Sequence, residues 1–188
     1  MKRLFLALTF TDPVKDALVS IQPKVGAGLR PISRQGLHLT LCFIGKAEIE
    51  WVYQALSPLQ AQPFSLLLKG VGQHRFSGRS VLWAGVTPCD GLMVLRQRLV
   101  AVLEQAGLPH DTKRFRPHVT LARCKQGVPQ SRIARFLKQH EAFLLGPIRF
   151  DAFVLYSSDT RPEGAVYQCE QIYPLTDTDS PILPDSRT

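Results

Sequence analysis

Apolar and polar positions follow two different periods along this chain, and together they predict a mixture of strands and helices. Apolar residues at three- and four-residue spacing predict helices, whereas short runs of apolar and β-branched residues predict strands. The predicted helices cover 12 to about 26, 47 to about 59, 90 to about 107, and 131–140. The predicted strands cover 2–10, 36–44, 64–71, 80–86, 117–123, 148–157 and 165–173. The segment 72–79 contains glycine and arginine, and we predict a loop there.

The order of these elements indicates an internal duplication. Each half of the chain contains a helix, a strand, a second helix and further strands. Two such lobes, related by a pseudo-twofold axis, would place the two central strands face to face with a cleft between them. We expect one bilobal domain over residues 1–175. The tail from 176 to 188 is polar and rich in proline, and we predict that it is disordered.

The two central strands carry the same short signature, 80 residues apart: His38-Leu39-Thr40-Leu41 and His118-Val119-Thr120-Leu121. Residues two apart in a strand face the same side of the sheet. Each copy therefore presents a histidine and a threonine on one face and two apolar side chains on the other. A single copy would most often be a half-buried strand histidine, but two copies in matching strands favour a functional site.

The charge of the chain favours an anionic partner. Formal net charge is +8, and basic residues are concentrated around the second signature. Lys113, Arg114 and Arg116 precede it, and Arg123 and Lys125 follow it. Four cysteines without a C-x-x-C spacing indicate reduced thiols rather than a disulfide framework or a zinc site. The apolar start is too short for a signal peptide, and no run is long enough to span a membrane, so we expect a cytoplasmic protein.

The paired signatures offer the groups that phosphoryl chemistry requires. Histidine exchanges protons near neutral pH, so His38 and His118 can act as an acid and a base on either side of one phosphorus atom. Thr40 and Thr120 can donate hydrogen bonds to the phosphoryl oxygens, and Arg123 can add a charged fork. We expect no metal and no other cofactor, since the sequence contains neither H-x-x-x-H nor H-E-x-x-H.

These residues resemble the two-histidine (2H) phosphoesterase superfamily, which is marked by a pair of His-apolar-Thr/Ser-apolar motifs. Within it, the chain is most similar to the RNA 2′,3′-cyclic phosphodiesterases, also called 2′-5′ RNA ligases. The resemblance covers about residues 1–175. It extends to the segments 3–7, 81–86 and 116–123, and to Leu155-Tyr156-Ser157-Ser158 with Gly164 and Tyr167. It implies an α+β fold of two pseudo-symmetric lobes around a central groove, each an antiparallel sheet with helices packed outside.

The resemblance also implies a function and roles for the site residues. The substrate would be an RNA end carrying a 2′,3′-cyclic phosphate, hydrolysed to a 2′-phosphomonoester without a metal. His38 would protonate the departing 3′ oxygen and His118 would activate water, although the reverse assignment stays open. Thr40, Thr120 and Arg123 would bind the phosphate. No membrane and no obligatory protein partner are expected.

Three alternatives stay open at this point. The chain could be a non-catalytic RNA- or nucleotide-binding module that uses the same basic groove. It could also join RNA ends through a 2′-5′ linkage, in which a 5′-hydroxyl competes with water for the same phosphorus. Phe43 could stack on a terminal base, although a core position is the usual place for phenylalanine. We interpret His74, in the predicted 72–79 loop, as part of a solvated turn rather than an RNA contact.

Overall fold

The computed structural model describes residues 1–26, 28–76, 78–161 and 164–177. Its helices are α1 (Asp12–Ser20), α2 (Ile49–Leu56), α3 (Asp90–Gln105) and α4 (Gln130–Gln139), with a short 3-10 turn at Arg34–Gly36. Its strands are β1 (Lys2–Thr9), β2 (Leu29–Pro31), β3 (His38–Ala47), β4 (Phe64–Phe76), β5 (Arg79–Val86), β6 (His118–Cys124), β7 (Leu144–Phe150), β8 (Ala152–Arg161) and β9 (Gly164–Pro174). The predicted α+β class is confirmed.

In the described residues, all nine strands belong to one curled antiparallel sheet, in the order β7-β4-β5-β6-β3-β1-β8-β9, with β2 paired to β6. The order reads as two four-stranded halves, β6-β5-β4-β7 and β3-β1-β8-β9, which meet at the two signature strands. The β3 half takes strands from both ends of the chain, and the β6 half takes strands from its middle. The two halves of the sheet are therefore not the two halves of the sequence, and the internal duplication stays a prediction.

The helices cover one face of the sheet and leave the other for the site. Leu92, Leu95, Leu99 and Leu103 of α3 are buried in the same cluster as the apolar residues of both signatures. Burial of each such leucine contributes about 1.5–3 kcal/mol. The histidines and threonines of the signatures therefore lie on the opposite, uncovered face.

The strand boundaries correct two predictions. The segment 72–79 is not a loop: β4 continues to Phe76, and β5 begins at Arg79. Gly72 is paired with Trp83, and its missing side chain makes room for that indole, because a Cβ on Gly72 would lie 2.1 Å from the ring. The predicted strand 148–157 is in fact the end of β7 and the start of β8, which are separated at Asp151.

The ends of two elements also differ from the prediction. Helix α1 ends at Ser20 rather than near residue 26, since Pro23 disfavours a helical residue before it. Strand β2 was not predicted, because its three residues are too few to show a period. Of the tail predicted to be disordered, only Thr176 and Asp177 belong to the described residues, and the prediction for 178–188 lies outside them.

Candidate active site

The two signatures lie side by side at the centre of the sheet. Strands β3 and β6 are antiparallel, and Leu39 is the partner of Val119. This register places His38 across from Thr120 and Thr40 across from His118. The four polar side chains thus form a compact square on the uncovered face. Residues that are 80 positions apart in sequence are neighbours in the fold, as the sequence predicted.

Both signature strands carry a β-bulge directly after the threonine. On β3, Leu6 pairs with Cys42 but Ala7 pairs with Thr40, so Leu41 is the extra residue. On β6, Leu121 is the extra residue in the same way, between the partners of Leu82 and Trp83. The two strands share one burial pattern over seven residues, with Leu41 and Cys42, or Leu121 and Ala122, both buried.

The bulges determine where the next side chains point. An extra residue reverses the alternation of faces along a strand. Phe43 and Arg123, three residues after Thr40 and Thr120, are therefore returned to the site face, where both are exposed. Phe43 is 52% exposed, so its usual interpretation as a core residue is wrong. The equal spacing of Phe43 and Arg123 after the two threonines is visible in the sequence, but the bulges are not.

Each histidine is held in one orientation by a backbone carbonyl. Nδ1 of His38 lies 2.7 Å from the carbonyl oxygen of Gly36, and Nδ1 of His118 lies 2.7 Å from that of Arg116. A carbonyl oxygen only accepts hydrogen bonds, so Nδ1 carries the proton in both rings. Nε2 is then a lone-pair acceptor when the ring is neutral and a donor when it is charged. Both imidazoles are set up to take or give a proton through Nε2.

Burial and neighbouring charge act together on His38. Burial lowers the pKa of His38, the bond to Gly36 opposes that change, and the positive charges of His118 and Arg123 lower the pKa further. The hydroxyl of Thr40 lies 3.1 Å from Nε2 of His38 and can donate to the neutral ring.

Aromatic rings surround His38 on the β1 side. Phe5 lies 5.1 Å from the imidazole, centroid to centroid, and Tyr167 lies 5.1 Å away with its ring edge-on. Phe5 also contacts Phe43 at 5.9 Å and stacks on Tyr156 at 5.4 Å. The first half of the site is therefore an apolar, aromatic wall. Tyr156 and Tyr167 belong to the segments that carry the resemblance, but neither was predicted to be a site residue.

Comparison with known proteins identifies the family of the chain. The sequence model of the 2′-5′ RNA ligase superfamily matches residues 12–162. The chain belongs to the 2′-5′ RNA ligase superfamily. The predicted family is thereby confirmed over most of the chain.

Relatives within the superfamily cover nearly the whole chain. The RNA 2′,3′-cyclic phosphodiesterase of Thermus thermophilus is 33% identical, over 88% of this chain and 86% of its own. The protein of the same name from Thermotoga maritima is 31% identical, over 88% of this chain and 91% of its own.

Solved structures show the same fold. The protein TT0787 of Thermus thermophilus has a TM-score of 0.72 at 30% identity and covers 92% of this chain and 97% of its own. E. coli LigT complexed with 3′-AMP has a TM-score of 0.72 at 24% identity and covers 94% and 99%. No helix in the described part of the chain is long and apolar enough to span a membrane.

A third histidine, which sequence analysis placed in a turn, lies beside His118. His74 is on strand β4, and its ring is 5.4 Å from that of His118 in an edge-to-face arrangement. It also packs on Trp83 at 5.0 Å. Burial lowers the pKa of His74, and the charges of His118 and Arg116 lower it further. Positions 72, 74 and 76 share one face of the strand, and this alternation could have predicted that β4 continues past residue 71. Gly72 and Gly78 are typical of turns and favoured a loop instead.

We expect His74 to position His118 through ring packing rather than through its charge. His74→Ala should lower kcat roughly tenfold, because displacement of a reacting group by a fraction of an ångström weakens proton transfer. His74→Phe should retain most of the activity. The measurement is steady-state kinetics with a nucleoside 2′,3′-cyclic phosphate. Gln73→Ala, which changes a neighbour on the opposite face of the strand, is the control, and equal losses in the alanine and phenylalanine variants would contradict a packing role.

Proposed function

We propose that this chain hydrolyses RNA 2′,3′-cyclic phosphate ends to 2′-phosphomonoesters by two-histidine acid–base catalysis. The observation that carries the proposal is the β3–β6 register, which sets two carbonyl-anchored imidazoles on one face of neighbouring strands. Relatives named RNA 2′,3′-cyclic phosphodiesterase, similar over most of the chain, support the substrate class. A cytoplasmic location fits the four free cysteines.

The reaction uses each imidazole once. Nε2 of neutral His118 accepts a proton from water as the water oxygen forms a bond to phosphorus. The bond between phosphorus and the 3′ oxygen breaks, and Nε2–H of charged His38 gives its proton to that oxygen. The 2′ ester bond is kept, so the product is a 2′-phosphomonoester. At the end His118 is charged and His38 is neutral. His118 then releases its proton to solvent and His38 takes one up, which restores the starting state.

The negative charge of the phosphate interacts with the donor groups of the site and with His38. Negative charge on the phosphoryl oxygens grows as water attacks, and the hydroxyls of Thr40 and Thr120 together with the guanidinium of Arg123 stabilise it. Because burial favours neutral His38 in the free protein, the bound anion is what restores its proton. The reverse assignment of acid and base uses the same atoms and is tested below.

Two finer parts of the proposal concern the nucleoside and the attacking group. Phe43 is exposed beside Phe5, where a terminal base can stack on it. A 5′-hydroxyl in the place of water would open the same ring, with the 3′ oxygen again departing, and would give a 2′-5′ linkage. Ligation therefore needs no groups beyond those of hydrolysis.

An oligonucleotide ending in a 2′,3′-cyclic phosphate tests the proposal directly. We expect time-dependent conversion to the 2′-monophosphate, resolved from the 3′ isomer by chromatography, and an unchanged rate in EDTA. Loss of activity on chelation would contradict the metal-free mechanism. Binding of the oligonucleotide without turnover, unaffected by replacement of both histidines, would favour a non-catalytic binding module instead.

A further inference from the structure

The basic charge of the chain is concentrated in one half of the sheet. Segments 51–89 and 112–140 contain eleven Lys and Arg residues and no Asp or Glu, whereas the rest of the chain has more acidic than basic residues. These two segments hold β4, β5, β6 and α4. The half of the site around His118 is therefore strongly positive, while the half around His38 is aromatic.

Cross-strand pairing shows which of these charges share a face with the histidines. Thr120 pairs with Trp83, and Trp83 pairs with Gly72, so these residues form one row across the sheet. The next row runs from Arg30 through Arg123 and Val81 to His74. Residues that pair directly across neighbouring strands face the same side of the sheet. The first row contains Thr120 and the second contains Arg123, so both rows lie on the uncovered face.

A third row extends the same face to the tip of the β4–β5 hairpin. Arg79 pairs with Phe76, and both follow the row of Val81 and His74 by two residues on each strand. Two residues of a strand rise about 6.8 Å, and two such steps separate Arg79 from Trp83 in the row of Thr120. The third row therefore lies about 13 Å from that row. We name Arg30, Arg123 and Arg79 the arginine strip.

The arginine strip is available to a ligand. Within the described residues, none of its three guanidinium groups forms an ion pair. All three arginines are exposed, and Phe76 is 51% exposed beside Arg79. Cations that track a phosphate backbone, together with an exposed aromatic ring on which a base can stack, are typical of surfaces that bind single-stranded nucleic acid.

We propose that the arginine strip and Phe76 bind the end of a single-stranded RNA, with Arg123 at the terminal cyclic phosphate and with Arg79 and Phe76 at the nucleotides that precede it. The inference rests on the proposed function and adds a direction to it: the RNA leaves the two histidines toward the β4–β5 hairpin, along β6 and β5. It also adds a substrate preference. A mononucleotide ends at the histidines and does not reach Arg79, whereas an oligonucleotide does.

The test compares a nucleoside 2′,3′-cyclic phosphate with an oligonucleotide of about ten nucleotides that has the same end. The double variant with Phe76→Ala and Arg79→Ala should raise KM for the oligonucleotide on the order of tenfold and leave its kcat unchanged. Its kinetics with the mononucleotide should equal those of the unaltered protein. Arg149→Ala removes an exposed arginine from β7, at the far edge of the sheet, and is the matched control for net charge.

Salt dependence gives a second readout. Loss of one phosphate contact should reduce the slope of log affinity against log salt by about 0.7 for single-stranded RNA. Arg79→Gln changes only an exposed position of the hairpin and should show that reduced slope even if the double variant does not fold. An unchanged oligonucleotide KM, an equal loss with both substrates, or the same loss in Arg149→Ala would overturn the proposal.

Failure of the proposed function would be recognised separately. If the unaltered protein opens neither substrate, the catalytic proposal fails, and the arginine strip is then judged from equilibrium binding alone. Fluorescence anisotropy with a labelled oligonucleotide ending in a 2′-phosphate should still show weaker binding by the double variant. Equal binding by both proteins would overturn the arginine strip whatever the outcome for catalysis.

Discussion

Replacement of His38 or His118 with alanine is expected to lower kcat for cyclic-phosphate opening by roughly 10²- to 10⁴-fold, because each imidazole carries one proton transfer. Their Nδ1 atoms are occupied by backbone carbonyls, so no other atom of either ring can replace Nε2. Steady-state kinetics with a nucleoside 2′,3′-cyclic phosphate measures the loss. Circular dichroism should show that the fold persists, and His140→Ala, at the end of α4, controls for loss of a histidine elsewhere.

A change of leaving group separates the two roles. With sulfur in place of the 3′ oxygen, the departing thiolate needs no proton, so the acid becomes dispensable while the base does not. Activity of His38→Ala should recover with this substrate, and that of His118→Ala should not. Recovery of His118→Ala instead would reverse the assignment, and full activity of either variant with the oxygen substrate would remove that histidine from the mechanism.

The second large effect is expected at Arg123. Arg123→Ala should lower kcat by about 10²–10³-fold, the usual cost of removing one group that stabilises developing negative charge. Arg123→Lys should recover only part of this, since an ammonium lacks the planar fork that binds two phosphoryl oxygens. The assay uses the mononucleotide, so that contacts to upstream RNA do not contribute. Arg135→Ala, an exposed arginine of α4, is the matched control, and equal kcat values for both alanine variants would contradict the role of Arg123.

The sequence predicted the signature strands because their information is local. Two-residue alternation places His38 with Thr40 and His118 with Thr120, and the repeat itself indicated that the strands meet. It could not predict the bulges at Leu41 and Leu121, which depend on how each strand pairs with its neighbour. The sequence placed Arg123, and as one alternative Phe43, at the site, but the bulges that turn both side chains to the site face were recognised only from the structure.

The misplacement of His74 has a different physical cause. Gly72 and Gly78 are typical of turns, and so the prediction ended the strand at residue 71. In the fold, the indole of Trp83 covers Gly72 and supplies the packing that glycine lacks. That contact joins residues 11 positions apart on two strands, and propensity within the 72–79 segment alone carries no information about it. A long hairpin stabilised by one aromatic ring thus brought a third histidine to the site.

The most direct test of the central claim is a crystal structure of the protein bound to a nucleoside 2′-phosphate, the product of the proposed reaction. We predict one phosphate group within about 3 Å of Nε2 of both His38 and His118. Its remaining oxygens should contact the hydroxyls of Thr40 and Thr120. A phosphate that reaches only one of the two rings, or binds away from both, would contradict a shared site.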